Sequence, residues 1–347
     1  MRRHPPRLAL LAAATVTVTT IGFTATAASA DGWHGPGLPR HVFAPYFETY
    51  DTSAGLAALS QQSGARYLSL AFLQTAQPGS CTAYWDGDTS QPISQASFGA
   101  DIAAIQAKGG NVIPSFGGFT ADTTGTELAD SCTSVSAIAQ VFESLITTYN
   151  VPRIDLDIEG DSVTNTAGIN RRNEAVAQTE AWAAAHGRNI QFSYTLPTFP
   201  TGLPAAELAV LQNAVADGAK ISTVNLLTFD YFIGTQQDML ADTKTAASAL
   251  VGQLQLLYPG DSTRQLWQMV GVTEMPGIDD FGPDETFTKA DAFALLRWAD
   301  QMGIGTLSFW ALQRDNGGCP GTKGAGTCSG LTQPTWFFSH VFEHFTR

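Results

Sequence analysis

Basic residues, histidines and cysteines are all scarce in this chain, and each shortage removes a class of function. Lysine and arginine number 18 against 31 aspartates and glutamates, a formal net charge of −13. A surface of that sign repels phosphate backbones and anionic lipid, which argues against nucleic acid or membrane as partner and favours a neutral or cationic substrate. Apart from the pair His340 and His344, no histidine lies beside a plausible nucleophile, so a Ser-His-Asp hydrolase is not expected. His340 and His344 do frame Glu343 in the HxxEH order of some zinc proteases. That pair falls in the last helical pattern with no downstream segment for a third ligand, and a helix covering the core accounts for it better. The Gly-rich stretch from Gly321 to Gly330 lacks the strand-before, helix-after setting of a phosphate loop. Neither pair among the four cysteines has ligand-like spacing, so neither a metal nor another cofactor is expected.

Long apolar runs are also missing: after the first thirty residues none could span a bilayer. Those thirty read as an export leader. Arg2, Arg3 and Arg7 form a basic start, Leu8 to Phe23 is largely apolar, and Ala28-Ser29-Ala30 offers a cleavage site. The twin arginine raises a folded-export route, but the residues after it lack that signal's usual form. The general secretory path and an extracellular, monomeric protein are therefore expected. Losing three arginines leaves 15 basic against 31 acidic residues, a net charge of about −16. In an exported protein an even cysteine count reads as disulfides. Cys319 and Cys328 bracket the loop Pro320 to Thr327 and are paired locally, with Cys81–Cys132 as the other bridge, although four cysteines allow three pairings.

No linker or low-complexity stretch divides residues 31–347, which are expected to form one domain. Short β-rich runs recur at His41–Phe47, Arg66–Phe72, Asn111–Phe116, Arg153–Glu159, Ile190–Leu196, Thr223–Phe229, Leu266–Val272 and Thr306–Ala311. Helical patterns lie between them, at Phe98–Ala107, Val135–Tyr149, Asn170–Ala185, Ala205–Ala216, Asp242–Leu257 and Thr288–Met302, with Trp336 to Phe345 as a closing helix. Eight strands alternating with helices predict an α/β fold of the (β/α)8 TIM-barrel type. A doubly wound open sheet is the alternative, but eight evenly spread units close more naturally than they lie flat.

One strand stands apart. In Arg153-Ile154-Asp155-Leu156-Asp157-Ile158-Glu159 the acids occupy alternate positions, so Asp155, Asp157 and Glu159 share one face and the aliphatic residues take the other. Three crowded carboxyls relieve their repulsion by keeping a proton, and a carboxylic acid protonated near neutrality is what a general acid requires. A solvated face or a Ca²⁺ site would not explain isoleucine and leucine at every other position. Barrel active sites form where strands end. Those ends carry Tyr46 and Glu48, Ser115-Phe116-Gly117-Gly118, Glu159, Tyr194, Asp230 and Tyr231, Glu274, and Trp310. Acids and aromatics converging from several strands suit a carbohydrate cleft, with rings stacking on sugars and polar groups binding hydroxyls.

These residues resemble glycoside hydrolase family 18, the chitinases, and especially a secreted bacterial and archaeal group. Asp155-Leu156-Asp157-Ile158-Glu159 is similar to the core of the family's DxxDxDxE motif, and Ser115-Phe116-Gly117-Gly118 to its SxGG motif. Asn225 to Tyr231 resembles the MxYD segment, and Ser308-Phe309-Trp310 the segment bearing the tryptophan beneath the scissile sugar. Two positions depart from the pattern: the first aspartate falls on Pro152 and the tyrosine of MxYD on Phe229, leaving Tyr231 as its substitute. The resemblance implies substrate-assisted cleavage of chitin or N-acetylglucosamine oligosaccharides with retained configuration. Glu159 would protonate the glycosidic oxygen. Asp157 would orient the 2-acetamido group, Asp155 would share a proton with Asp157, and Asp230 and Tyr231 would contact the −1 sugar. Trp310 would be the stacking floor, with Tyr46, Ser115, Gly117, Tyr194, Glu274 and Met275 completing the cleft. An endo-β-N-acetylglucosaminidase acting on glycoprotein glycans, a chitin-binding lectin on the same barrel and, more distantly, a peptidoglycan-cleaving enzyme are the alternatives.

Overall fold

The computed structural model describes Met1 and residues 37–51 and 55–347. Apart from Met1, the leader expected over residues 1–30 lies outside the described residues. The sheet begins with β1 (Val42–Phe43) and β2 (Tyr46–Glu48), two halves of one extended segment parted at Ala44-Pro45. Proline has no N–H for a ladder, which interrupts the strand at that point. The strands that follow are β3 (Tyr67–Thr75), β4 (Ala83–Trp85), β5 (Asn111–Gly117), β6 (Arg153–Asp157), β7 (Gln191–Pro197) and β8 (Ile221–Leu227). After them come β9 (Val270–Glu274), β10 (Gly277–Ile278), β11 (Thr286–Phe287) and β12 (Thr306–Phe309).

Parallel pairing runs from β2 through β3, β5, β6, β7, β8 and β9 to β12. The last strand then pairs with β1, Val42 opposite Thr306, so the ring closes on the segment where it began. The structure is therefore the closed barrel and not the open sheet. β4 lies antiparallel on β3, and β10 with β11 forms a separate hairpin.

Outside the ring the helices bury one apolar stripe each. In Val135–Tyr149 the buried residues Ile138, Phe142, Leu145, Ile146 and Tyr149 recur at helical spacing, and Ser134 caps the first turn. Phe142 sits edge-on between Phe116 of β5 and Phe192 of β7, at 5.1 and 5.5 Å between ring centroids. Among the described residues no helix is long and apolar enough to cross a membrane.

One element departs from expectation. The strand expected over Leu266–Val272 is a helix, Thr263–Met269, until β9 begins at Val270. Ser262 and Gln265 form a reciprocal capping box that starts this helix, and Leu266 is fully buried beneath it. A short apolar run does not reveal its own period, and the cap decides it here.

Candidate active site

β6 and the extended residues just after it send Asp155, Asp157 and Glu159 to one side, as alternation requires, and they rise in that order along the barrel interior. Asp155 lies deepest. Its Oδ2 accepts from Ser115 Oγ (2.7 Å) and Tyr46 Oη (3.0 Å), and its Oδ1 from Ser193 Oγ (2.6 Å) and Thr195 Oγ1 (2.9 Å). Burial pushes this carboxyl up, and the four hydroxyls pull it back toward ionisation. Four donors occupy the roughly four lone-pair sites of a carboxylate. The proton expected to be shared between Asp155 and Asp157 is thus drawn toward Asp157 by these hydroxyls.

Asp157 is in the opposite position. It is buried, its Oδ1 has no hydrogen-bond partner among the described residues, and Glu159, Asp155 and Asp122 crowd it. Burial first, and then those three charges, hold its carboxyl well above the usual range. Glu159 is half-buried at the top, where burial pushes it to about 7 against a hydrogen bond from the Phe119 backbone N–H. Asp157 is thus the natural home of a proton, and Glu159 exchanges one near neutral pH.

Asp157 and Glu159 open onto a groove of about 490 Å³, lined also by Gly117, Asp230, Phe72 and Trp310. The Trp310 and Phe72 rings lie nearly parallel, 10° apart at 5.6 Å, and Tyr46 tilts against the tryptophan at 5.7 Å. Trp310 and Phe72 together make an aromatic floor of the groove, and Tyr46 is buried against both. Gly117 lets the β5 backbone approach β6 closely here: with φ at 100°, a Cβ there would come within 2.1 Å of the Asp157 carbonyl. Asp230 enters from the loop after β8, where burial and then Asp280 and Asp279 raise its carboxyl to about 8.

Six expected groove residues lie elsewhere, Tyr46 and Ser115 among them, both fully buried and bonded to Asp155. Tyr194 stands in register with Leu156, on the outward face, and its hydroxyl donates to Asn173 of the helix Thr166–Ala185 (2.9 Å). Its inward neighbours Ser193 and Thr195 bind Asp155 instead. Glu274 also points outward. Its Oε1 accepts from Thr243 Oγ1 (2.7 Å), and burial raises it to about 8. Tyr231 is buried beside Glu274 and Asp242, so it does not replace the hydroxyl missing at Phe229, which itself lines the groove. The reason is local: β8 ends at Leu227, and the left-handed backbone at Asp230 (φ 51°) and Phe232 (φ 59°) breaks strand alternation. Met275 is buried outside the groove lining.

Other residues enter the site without having been expected. Thr195 and Thr273 both bond Asn225, at 3.0 and 2.7 Å, extending the inward polar layer beneath the acids. Alternation from Asp155 and its strand neighbours could have found them. Tyr50 and Phe281, on loops, and Phe119, at the start of the helix Phe119–Thr124, also line the groove, where no periodicity points to them. His340 and His344 lie at the closing helix and the short turn after it, Phe337–Phe342 and Glu343–Phe345. Both expected disulfides are present, Cys81–Cys132 and Cys319–Cys328.

No family model matches the chain. It is 32% identical over 323 residues to the probable bifunctional chitinase/lysozyme of Escherichia coli (strain K12), covering 89% of this chain and 35% of that protein. It is 33% identical over 290 residues to endochitinase 11 of Metarhizium anisopliae, covering 80% and 53%. The chain thus spans about half or less of the length of these curated relatives. Among solved structures, the catalytic domain of a hyperthermophilic chitinase from Pyrococcus furiosus superposes with a TM-score of 0.77 at 29% identity, covering 90% of this chain and 96% of that one. Active domain 2 of the thermostable chitinase from the same organism, complexed with chito-oligosaccharides, gives 0.79 at 27%, with the same coverage.

Proposed function

We propose that this chain is a member of glycoside hydrolase family 18, a secreted enzyme cleaving β-1,4-linked N-acetylglucosamine polymers with retained configuration. The observation that carries the proposal is the unequal trio: Asp155 saturated by hydroxyls, Asp157 buried with an unpartnered oxygen, and Glu159 at the groove with a carboxyl near 7.

Glu159 delivers its proton to the glycosidic oxygen as the bond breaks, then takes one from water in the second step. No second carboxylate is placed as nucleophile; the sugar's own 2-acetamido oxygen attacks the anomeric carbon and closes a ring. Asp157 meets the acetamido N–H with its free oxygen and orients the group for attack. Asp155 holds Asp157 in place electrostatically and does not take its proton. Trp310 and Phe72 carry the face of the −1 sugar, and Asp230 reaches the same sugar from the side. Export agrees with the two disulfides, which persist in oxidising compartments, and the acidic surface fits a neutral polysaccharide and a monomer.

The test is hydrolysis of N-acetylglucosamine hexamer, followed by mass spectrometry for products and NMR for the first anomer formed. Shorter oligomers released as the β-anomer support the reading. Equal cleavage of a fully deacetylated hexamer would remove it, because that substrate lacks the internal nucleophile.

A further inference from the structure

We infer that Asp122, outside every motif that marks the site, is a positioning residue that clamps the main chain of Glu159 for proton transfer. The inference rests on the hydrolase reading above and concerns the same site. Asp122 sits on the short helix Phe119–Thr124 that follows Gly118, and it is 1% exposed. Its Oδ2 accepts the backbone N–H of Glu159 at 2.5 Å. Phe119, at the start of the same helix, gives its own N–H to the Glu159 side chain. One turn of helix therefore grips the proton donor at two points, main chain and carboxyl.

The grip has a rigid backing. Glu127 caps the next helix through the N–H groups of Ala129 and Asp130, and it holds the fully buried Arg172 at 2.8 Å. Asp130 bonds Ser162 and Asn165, in the segment directly after Glu159. The loops after β5 and β6 are thus tied together behind the acid, and Asp122 is the tie nearest the reaction. A burial requirement alone would select an apolar side chain at position 122. Instead an acid sits there, with its Oδ1 buried and without a hydrogen-bond partner among the described residues. That arrangement costs stability and is retained where an acceptor must face one particular N–H.

A proton donor displaced by about 1 Å can lose roughly a hundredfold in rate. Releasing the main chain should therefore lower kcat while leaving the groove that sets KM unchanged. The experiment compares Asp122→Asn, Asp122→Ala and Asp122→Glu on N-acetylglucosamine hexamer, with folding followed by circular dichroism. Asn keeps an acceptor for the Glu159 N–H and should stay within about threefold of wild-type kcat. Ala removes the acceptor and should lose roughly ten- to a hundredfold in kcat with KM within about twofold. Glu moves the carboxyl by one methylene and should fall between them, which decides the matter if the Ala protein does not fold. Asn as impaired as Ala or Glu, or a folded Ala variant with wild-type kcat, overturns the assignment. A wild-type protein that releases no sugar from the hexamer instead overturns the hydrolase reading itself.

Discussion

Raising the pH through neutrality should switch this protein off, and the structure says how steeply. Burial lifts the Glu159 carboxyl to about 7, with the Phe119 N–H as the opposing influence. A general acid acts only while protonated. With a pKa of about 7, roughly half the molecules hold the proton at pH 7, about a tenth at pH 8 and about a hundredth at pH 9. kcat/KM should therefore fall about tenfold for each pH unit above the limb. Glu159 and Asp157 titrate as a pair, so the limb belongs to the pair. Glu159→Gln preserves the shape of the side chain but has no proton to give. It should lose at least about 10²–10⁴-fold in kcat while keeping the melting temperature and oligomer affinity of the wild type. Initial rates on the hexamer between pH 5 and 9 at constant ionic strength, with calorimetric binding to the Gln variant, test both parts. A wild-type profile flat to pH 9, or a Gln variant turning over at the wild-type rate, would refute the assignment of Glu159.

Three further outcomes follow from the same geometry. Trp310→Ala removes the larger ring of the aromatic floor and should raise KM by at least about fivefold, the equivalent of about 1 kcal/mol of stacking, with kcat less affected; a KM unchanged in steady-state kinetics would place the sugar elsewhere. Glu274 has its folded-state carboxyl raised from 4.5 to about 8, so the native protein holds a proton that the unfolded chain has lost in that window, and stability falls as pH rises through it. Glu274→Gln should therefore gain stability relative to wild type at pH 9 compared with pH 5, on the order of a few kcal/mol, in urea unfolding; an identical pH dependence in both proteins would contradict it. Opening Cys81–Cys132, separated by 51 residues, should cost about 4 kcal/mol against about 2.5 for Cys319–Cys328, separated by 9, on loop entropy alone. Calorimetry of the two double-serine variants would expose a reversed order.

Much of the site was legible because its signal is local. Alternate acids among aliphatic residues in 153–159 identify a strand, its buried side and its chemistry together, since a period of two permits only one arrangement. Eight repeats of strand and helix likewise leave few ways to bury their apolar faces, and closure into a ring is the simplest. The failures have equally definite causes. Tyr194 and Glu274 stand at strand ends, but their parity sends them to the helix layer, where Asn173 and Thr243 meet them. Strand alternation carried past Leu227 would point Tyr231 at the groove, but β8 ends there and the left-handed backbone at Asp230 and Phe232 turns it away.

What the chain determined by itself was the barrel, the acid trio and the facing tryptophan, because each follows from spacing along one segment or from the count of segments. Only tertiary structure decided which acid carries the proton. Four hydroxyls from β2, β5 and β7 converge on Asp155, none reaches Asp157, and a helix from another loop holds Glu159. Desolvation and hydrogen bonding set acidity through neighbours distant in sequence, and no reading of a single strand contains them.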